Sequence, residues 1–122
     1  MARDFDLIRK IMLDIREREK LGEILRIEIE GYSVDQIQFQ LVLLKEEELI
    51  VAYDFSASNK IEIAPTRLTW AGNDFLDLAM NDNNWNKAKK IADGAGATTL
   101  EILRKILVEI ATEVALGMLK HP

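Results

Sequence analysis

Between residues 33 and 72 two helix starts stand on either side of two short β-branched runs, and few folds accept that order. Ser33 and Gln36 have the spacing of a capping box, with Tyr32 and Ile37 at the positions of a hydrophobic staple. A helix is therefore expected from Ser33 to about Glu47. Residues 49–56 (LIVAYDFS) and 60–64 (KIEIA) read as strands, and the intervening ASN is short enough to make them a hairpin. Pro65 ends the second strand or marks its edge. The stretch PTRLTWAGNDFLDL follows. In it, Thr69 is placed to cap a helix that begins at Trp70. Gly72 has no side chain, so the first turn can lie close against the hairpin or the first helix. Phe75, Leu76 and Ala79 return at helical spacing and face inward.

The flanking segments fit around this block. Residues 4–18 form a first helix, with Asp4 as N-cap and Phe5, Ile8, Ile11, Met12 and Ile15 on one side. ILRIEI at 24–29 alternates and is β-branched, which predicts a short strand. A helix over Trp85–Ala92 stops at Gly94. Thr98 and Glu101 repeat the capping-box spacing, and a last helix runs to about Leu119. Helix, short strand, helix, hairpin, helices is an α+β order, and a helix feeding directly into a hairpin is the winged-helix arrangement. Only Glu30, Gly31 and Tyr32 separate the expected strand from the second helix. The helix-turn-helix is thus abbreviated, or residues 19–23 supply a stunted helix. The expected organisation is a winged-helix-like domain over 1–92 and a short linker, DGAGA, over 93–97. A C-terminal amphipathic helix over 98–120 then packs on the same unit or serves dimerisation.

Four stretches, RDFDLIRKIML, GYSVDQIQFQLVLL, PTRLTWAGNDFLD and NNWNKAKK, together resemble a family of small bacterial and prophage proteins known as domain of unknown function 2513. The resemblance runs along nearly the whole chain, and LTWAGNDFLD is its most specific part. The LTxxGxxFL core of that block is shared more widely among winged-helix regulators. The resemblance implies a winged-helix protein of the kind carried on mobile elements, with no catalytic residues and no established ligand.

Composition narrows the chemistry. With 122 residues, 48% hydrophobic and 30% charged, the chain suits one folded domain with a core. There is no cysteine, so no disulfide framework and no thiolate metal site. MARDFDLIRK is charged and periodic, unlike a signal peptide, and no apolar run approaches membrane-spanning length. The expectation is a cytoplasmic protein with no membrane partner. The one histidine, His121, is next to last. Nucleophile schemes built on His or Cys have no parts, and the GAG at 94–96 lacks the lysine and preceding strand of a phosphate loop. No catalytic, cofactor or metal residue is therefore assigned, and a non-enzyme is expected.

Two binding readings remain. The fold and the resemblance point to a DNA-associated regulator. The candidate contacts are Gln36 and Gln40 on the second helix, Lys60 at the hairpin tip, and Lys87, Lys89 and Lys90 further on. Against it, the net charge is −5, the wrong sign for general attraction to phosphates. Residues 33–48 hold one cation, Lys45, against Asp35, Glu46, Glu47 and Glu48, a net of −3. Val34, Ile37, Leu41 and Leu44 form the expected core side of that helix. Its other side shows Phe39, Val42 and Leu43, apolar groups better explained by a covering protein surface. The alternative is therefore a protein-interaction module that has lost DNA binding. In the last helix, Leu103, Leu107, Ile110 and Val114 make a heptad-like seam, which suits either packing on its own domain or a homodimer. Trp70 and Trp85 are expected in core or half-buried positions.

Overall fold

The computed structural model describes residues 2–96 and 99–120. Five helices and one two-stranded antiparallel sheet follow in the order α1 (Phe5–Arg18), α2 (Val34–Glu46), β1 (Ile50–Asp54), β2 (Ile63–Leu68), α3 (Trp70–Ala79), α4 (Asp82–Gly94), α5 (Leu100–Lys120). The chain divides into two compact units, the first ending at Leu76 and the second beginning at Asp77.

In the first unit, α1 starts where expected. The Asp4 carboxylate accepts from the Leu7 N–H at 3.0 Å, and Ile8, Ile11, Met12 and Ile15 are buried. Helix α2 opens with a complete capping box, each of Ser33 and Gln36 accepting from the other's backbone N–H. Its buried side is Ile37, Gln40, Leu41 and Leu44. Val34, expected in the core, is 68% exposed, because the first helical residue lies beyond the depth at which α2 meets α1 and the sheet.

The hairpin forms, with a different second strand. Register runs from Ile50 opposite Leu68 to Asp54 opposite Ile63, with a bulge at Val51/Ala52. It narrows through the Phe55 N–H to Glu62 carbonyl bond to a bridge between Ala57 and Lys60. Pro65 does not end β2 but sits inside it, opposite Ala52. The position suits proline because its missing N–H faces away from β1.

The strand expected at 24–29 is not a strand, although its alternation is real: Ile27 is buried, Leu25 and Ile29 are half-buried, and the residues between them are exposed. The segment runs beside β2 through one bond, from the Leu25 N–H to the Pro65 carbonyl at 2.7 Å. Pro65 has no N–H to return, so a ladder cannot grow from that pair. Residues 19–23 form a single turn, with Gly22 at φ +80°, so 19–33 contains no helix. α1 and α2 are therefore joined by fifteen residues without a helix rather than by a tight turn.

In the second unit, Asn81 caps α4 by accepting from the Asn84 N–H at 3.0 Å, which starts that helix three residues before Trp85. Trp85, Ala88 and Ala92 are buried on α4, and Leu103, Leu107 and Ile110 on α5, where the two helices pack. The expected cap Thr98 lies outside the described residues. Thr99 fills the role, its hydroxyl accepting from the Ile102 N–H at 3.2 Å.

Candidate functional site

One joint positions the hairpin. Helix α2 ends with two backbone bonds that reverse the chain, Glu48 N–H to Lys45 carbonyl and Leu49 N–H to Leu44 carbonyl. Glu48 sits at φ +56°, a left-handed conformation that non-glycine residues rarely take. Thr69 closes the joint from the other side. Its N–H donates to the Leu49 carbonyl at 3.0 Å and its hydroxyl to the Glu48 carbonyl at 2.7 Å. The same hydroxyl accepts from the Gly72 N–H at 3.0 Å, capping α3. Gly72 is required, since a Cβ there would stand 2.0 Å from the Leu49 carbonyl oxygen. Both sequence expectations at Thr69 and Gly72 hold, and the surface Gly72 approaches is the stem of the hairpin.

The glutamines of α2 are engaged internally. The Gln36 side chain is part of the capping box. Gln38 clasps the first residue of β2, accepting from the Ile63 N–H at 2.7 Å and donating to its carbonyl at 3.3 Å. Gln40 is 2% exposed. It accepts from the Asp4 N–H and donates to the Ala2 carbonyl, both at 3.1 Å. The expectation that Gln40 reaches a partner is therefore corrected: it lies on the core side between Ile37 and Leu44 and fastens the N-terminal segment. Phe39, Val42 and Leu43 are half-buried. Lys60 is exposed in the hairpin turn of the first unit. In the second unit Lys87 and Lys90 are exposed, and the Lys89 ammonium lies 5.7 Å from the centre of the Trp85 ring. Of the expected seam on α5, Leu103, Leu107 and Ile110 are buried within the chain, and Val114 is 54% exposed.

The hairpin turns a different set of residues outward. Val51 and Tyr53 on β1 and Phe55 just past its end alternate and are exposed. The Tyr53 and Phe55 rings stack, centroids 6.1 Å apart and planes inclined by 28°. A cleft of about 280 Å3 lies where Tyr53 meets Lys20, Leu21, Gly22, Thr66 and Arg67. Trp70 is 85% exposed and lines a shallower trough with Lys45, Glu48 and Val51. Trp85 is fully buried as expected, and Trp70 is the reverse of the expectation. It precedes the inward series Gly72, Phe75, Leu76 and Ala79 and falls on the opposite side of α3, a placement that helical spacing alone would have given. At the tip, the Ser56 hydroxyl and N–H both bond the Asp54 carboxylate and hold it below the usual carboxylate range.

No cluster of His, Asp or Glu among the described residues could hold a metal ion. No helix among them is long and apolar enough to cross a membrane. Comparison with known proteins finds a match to the family described as "Hypothetical protein (DUF2513)" over residues 2–98. An uncharacterized protein of Haemophilus influenzae is 34% identical over 90 residues, spanning 73% of this chain and 76% of that one. No solved structure matches.

Proposed function

The chain belongs to the DUF2513 family, and from that premise we propose that it is a non-enzymatic protein-interaction module on a winged-helix-like scaffold, with the outer face of the hairpin as its contact surface. One observation carries this reading above all. The three glutamines of α2 that could read base edges are each bonded inside the chain, on a helix segment of net charge −3. Major-groove readout needs free donors and acceptors on an exposed helix face, together with cations for the phosphates. The hairpin instead presents Val51, Tyr53 and Phe55, and Trp70 stands beside its stem. Exposed aromatic groups of this kind suit a protein surface.

The alternative, a DNA-associated regulator, has Lys60, Lys87 and Lys90 as exposed cations. Titration of the full chain into labelled duplex DNA at 50 and 200 mM salt separates the two. No binding at either salt is expected. Binding that weakens steeply between them would mean phosphate contacts and would overturn the proposal.

A second reading concerns self-association. Helix α5 has 21 residues against 13 for α4, so at 1.5 Å per residue roughly 12 Å of α5 runs beyond the length of α4. On it Val114 and Leu116 are half exposed, and Met118 and Leu119 are exposed by 70% and 76%. This supports a homodimer through the far end of α5. Light scattering should give twice the chain mass, falling to one chain mass in Val114→Lys with Met118→Lys. A monomeric wild-type chain at 100 μM, of the order where weak interfaces still populate, removes the dimer.

A further inference from the structure

We propose that the cleft between the Glu19–Gly22 turn and the hairpin face receives an acidic, apolar-flanked segment of a partner protein. This rests on the reading of the hairpin as a docking surface and names what that surface recognises.

Two cations face the cleft, Lys20 from the turn and Arg67 from β2. Neither has an acid within ion-pair distance among the described residues. Arg67 lies across the ladder from Val51, on the outer face of the sheet, and its guanidinium donates to the neighbouring Leu68 carbonyl at 3.0 Å. The single acid of the lining, Glu19, is turned to the backbone, where it accepts from the Leu68 N–H at 3.0 Å. A chain of net charge −5 thus carries a small site of opposite sign, with two donors aimed at solvent.

The apolar part of the site is equally specific. Leu21 is 95% exposed at one side and Tyr53 forms the other, its ring stacked on that of Phe55. A carboxylate between Lys20 and Arg67 would leave a neighbouring bulky side chain over the two rings or against Leu21. Arg67 suits a carboxylate because its planar guanidinium can bond both oxygens.

The charges also favour a peptide over a nucleic acid. A single strand repeats a phosphate at every nucleotide and needs a row of cations to follow it. Here Glu17 and Glu23 flank the turn, and Glu62 faces Phe55 across the hairpin. One or two carboxylates match two cations, and a longer run of negative charge would meet those acids.

The test is an amide-resolved NMR titration of the full chain with three probes. They are the acetylated hexapeptide Gly-Asp-Asp-Leu-Phe-Gly, its counterpart Gly-Lys-Lys-Leu-Phe-Gly, and a twelve-nucleotide oligothymidylate. The acidic peptide should shift Lys20, Gly22, Tyr53 and Arg67, and bind at least tenfold more weakly to Arg67→Glu. That residue is exposed, so the variant should keep the wild-type spectrum elsewhere. The basic peptide should bind at least tenfold more weakly than the acidic one. Equal shifts at Tyr53 and Phe55 from both peptides would overturn the charged pocket while leaving the hairpin as a protein-docking face. Shifts from the oligothymidylate alone would overturn both. No shift from the acidic peptide, or shifts confined to other residues, would overturn the pocket, and the duplex titration then decides the docking face separately.

Discussion

Helix α2 and the hairpin it feeds are neighbours with opposite economies of side chains. The helix is rich in polar groups, yet Gln36, Gln38 and Gln40 all bond within the chain. The hairpin leaves its aromatic groups in water, with Tyr53 59% and Phe55 53% exposed. Polarity in the sequence is thus a poor guide to which surface contacts a partner. A buried amide that is fully bonded holds structure, and an exposed ring with nothing over it is the group still available.

The contrast depends on the hairpin being held rigidly to the end of α2, and the strongest way to break it is Gly72→Ala. The added Cβ must displace the Leu49 backbone, so a loss of about 3 kcal/mol or more is expected in chemical denaturation. A variant as stable as the wild type would mean that α3 does not press on the hairpin stem. Next comes Gln40→Ala, which leaves the Asp4 N–H and Ala2 carbonyl without their partner. Roughly 1–3 kcal/mol should be lost. An unchanged melting temperature would return Gln40 to the pool of contact residues. Thr69→Ala removes a cap and a bond to Glu48 and should cost on the order of 1 kcal/mol, read as a lower melting temperature.

The double change Tyr53→Ser with Phe55→Ser sharpens the comparison from the other side. Exposed rings contribute little to folding, so stability should stay within about 0.5 kcal/mol while peptide binding is lost. If the pair unfolds the domain, the rings are structural. The smallest effect belongs to Asp54. Its carboxyl is held low by Ser56, so the ionised form favours the folded state. That contribution is present above the ordinary carboxylate value of about 3.9 and fades as pH falls through the lower folded value. Asp54→Asn should therefore melt slightly below the wild type at pH 7, with the gap closing in acid.

What the sequence made legible was local chemistry. The caps at Asp4, Ser33 and Thr69 and the need for Gly72 follow from residues within one helical turn of each other. The alternation at 24–29 does not make a strand, because alternation reports only which way side chains face. Whether a ladder forms depends on the partner strand, and here that partner offers Pro65. The fastening role of Gln40, expected as a DNA contact, is invisible in the sequence because its partners, Ala2 and Asp4, lie more than thirty residues away. Tyr53 lies on a strand as expected and Phe55 falls one residue past its end, but LIVAYDFS is apolar on both sides at its start, so pattern alone does not choose the outward side. On α5 the seam was visible and its division was not, since the number of turns that stay uncovered depends on where α4 begins.

The bonds that Thr69 makes to Glu48 and Leu49 also decide where this chain can change length. Residues 48–49 and 69–72 are locked to one another atom for atom, so one residue added on either side would pull the hydroxyl out of reach of both its partners. Ser58 and Asn59, at the far end of the hairpin, bear no such constraint and form an exposed turn that can lengthen without disturbing the fold. Insertions among relatives, and any tag or probe placed internally by an experimenter, belong at that tip.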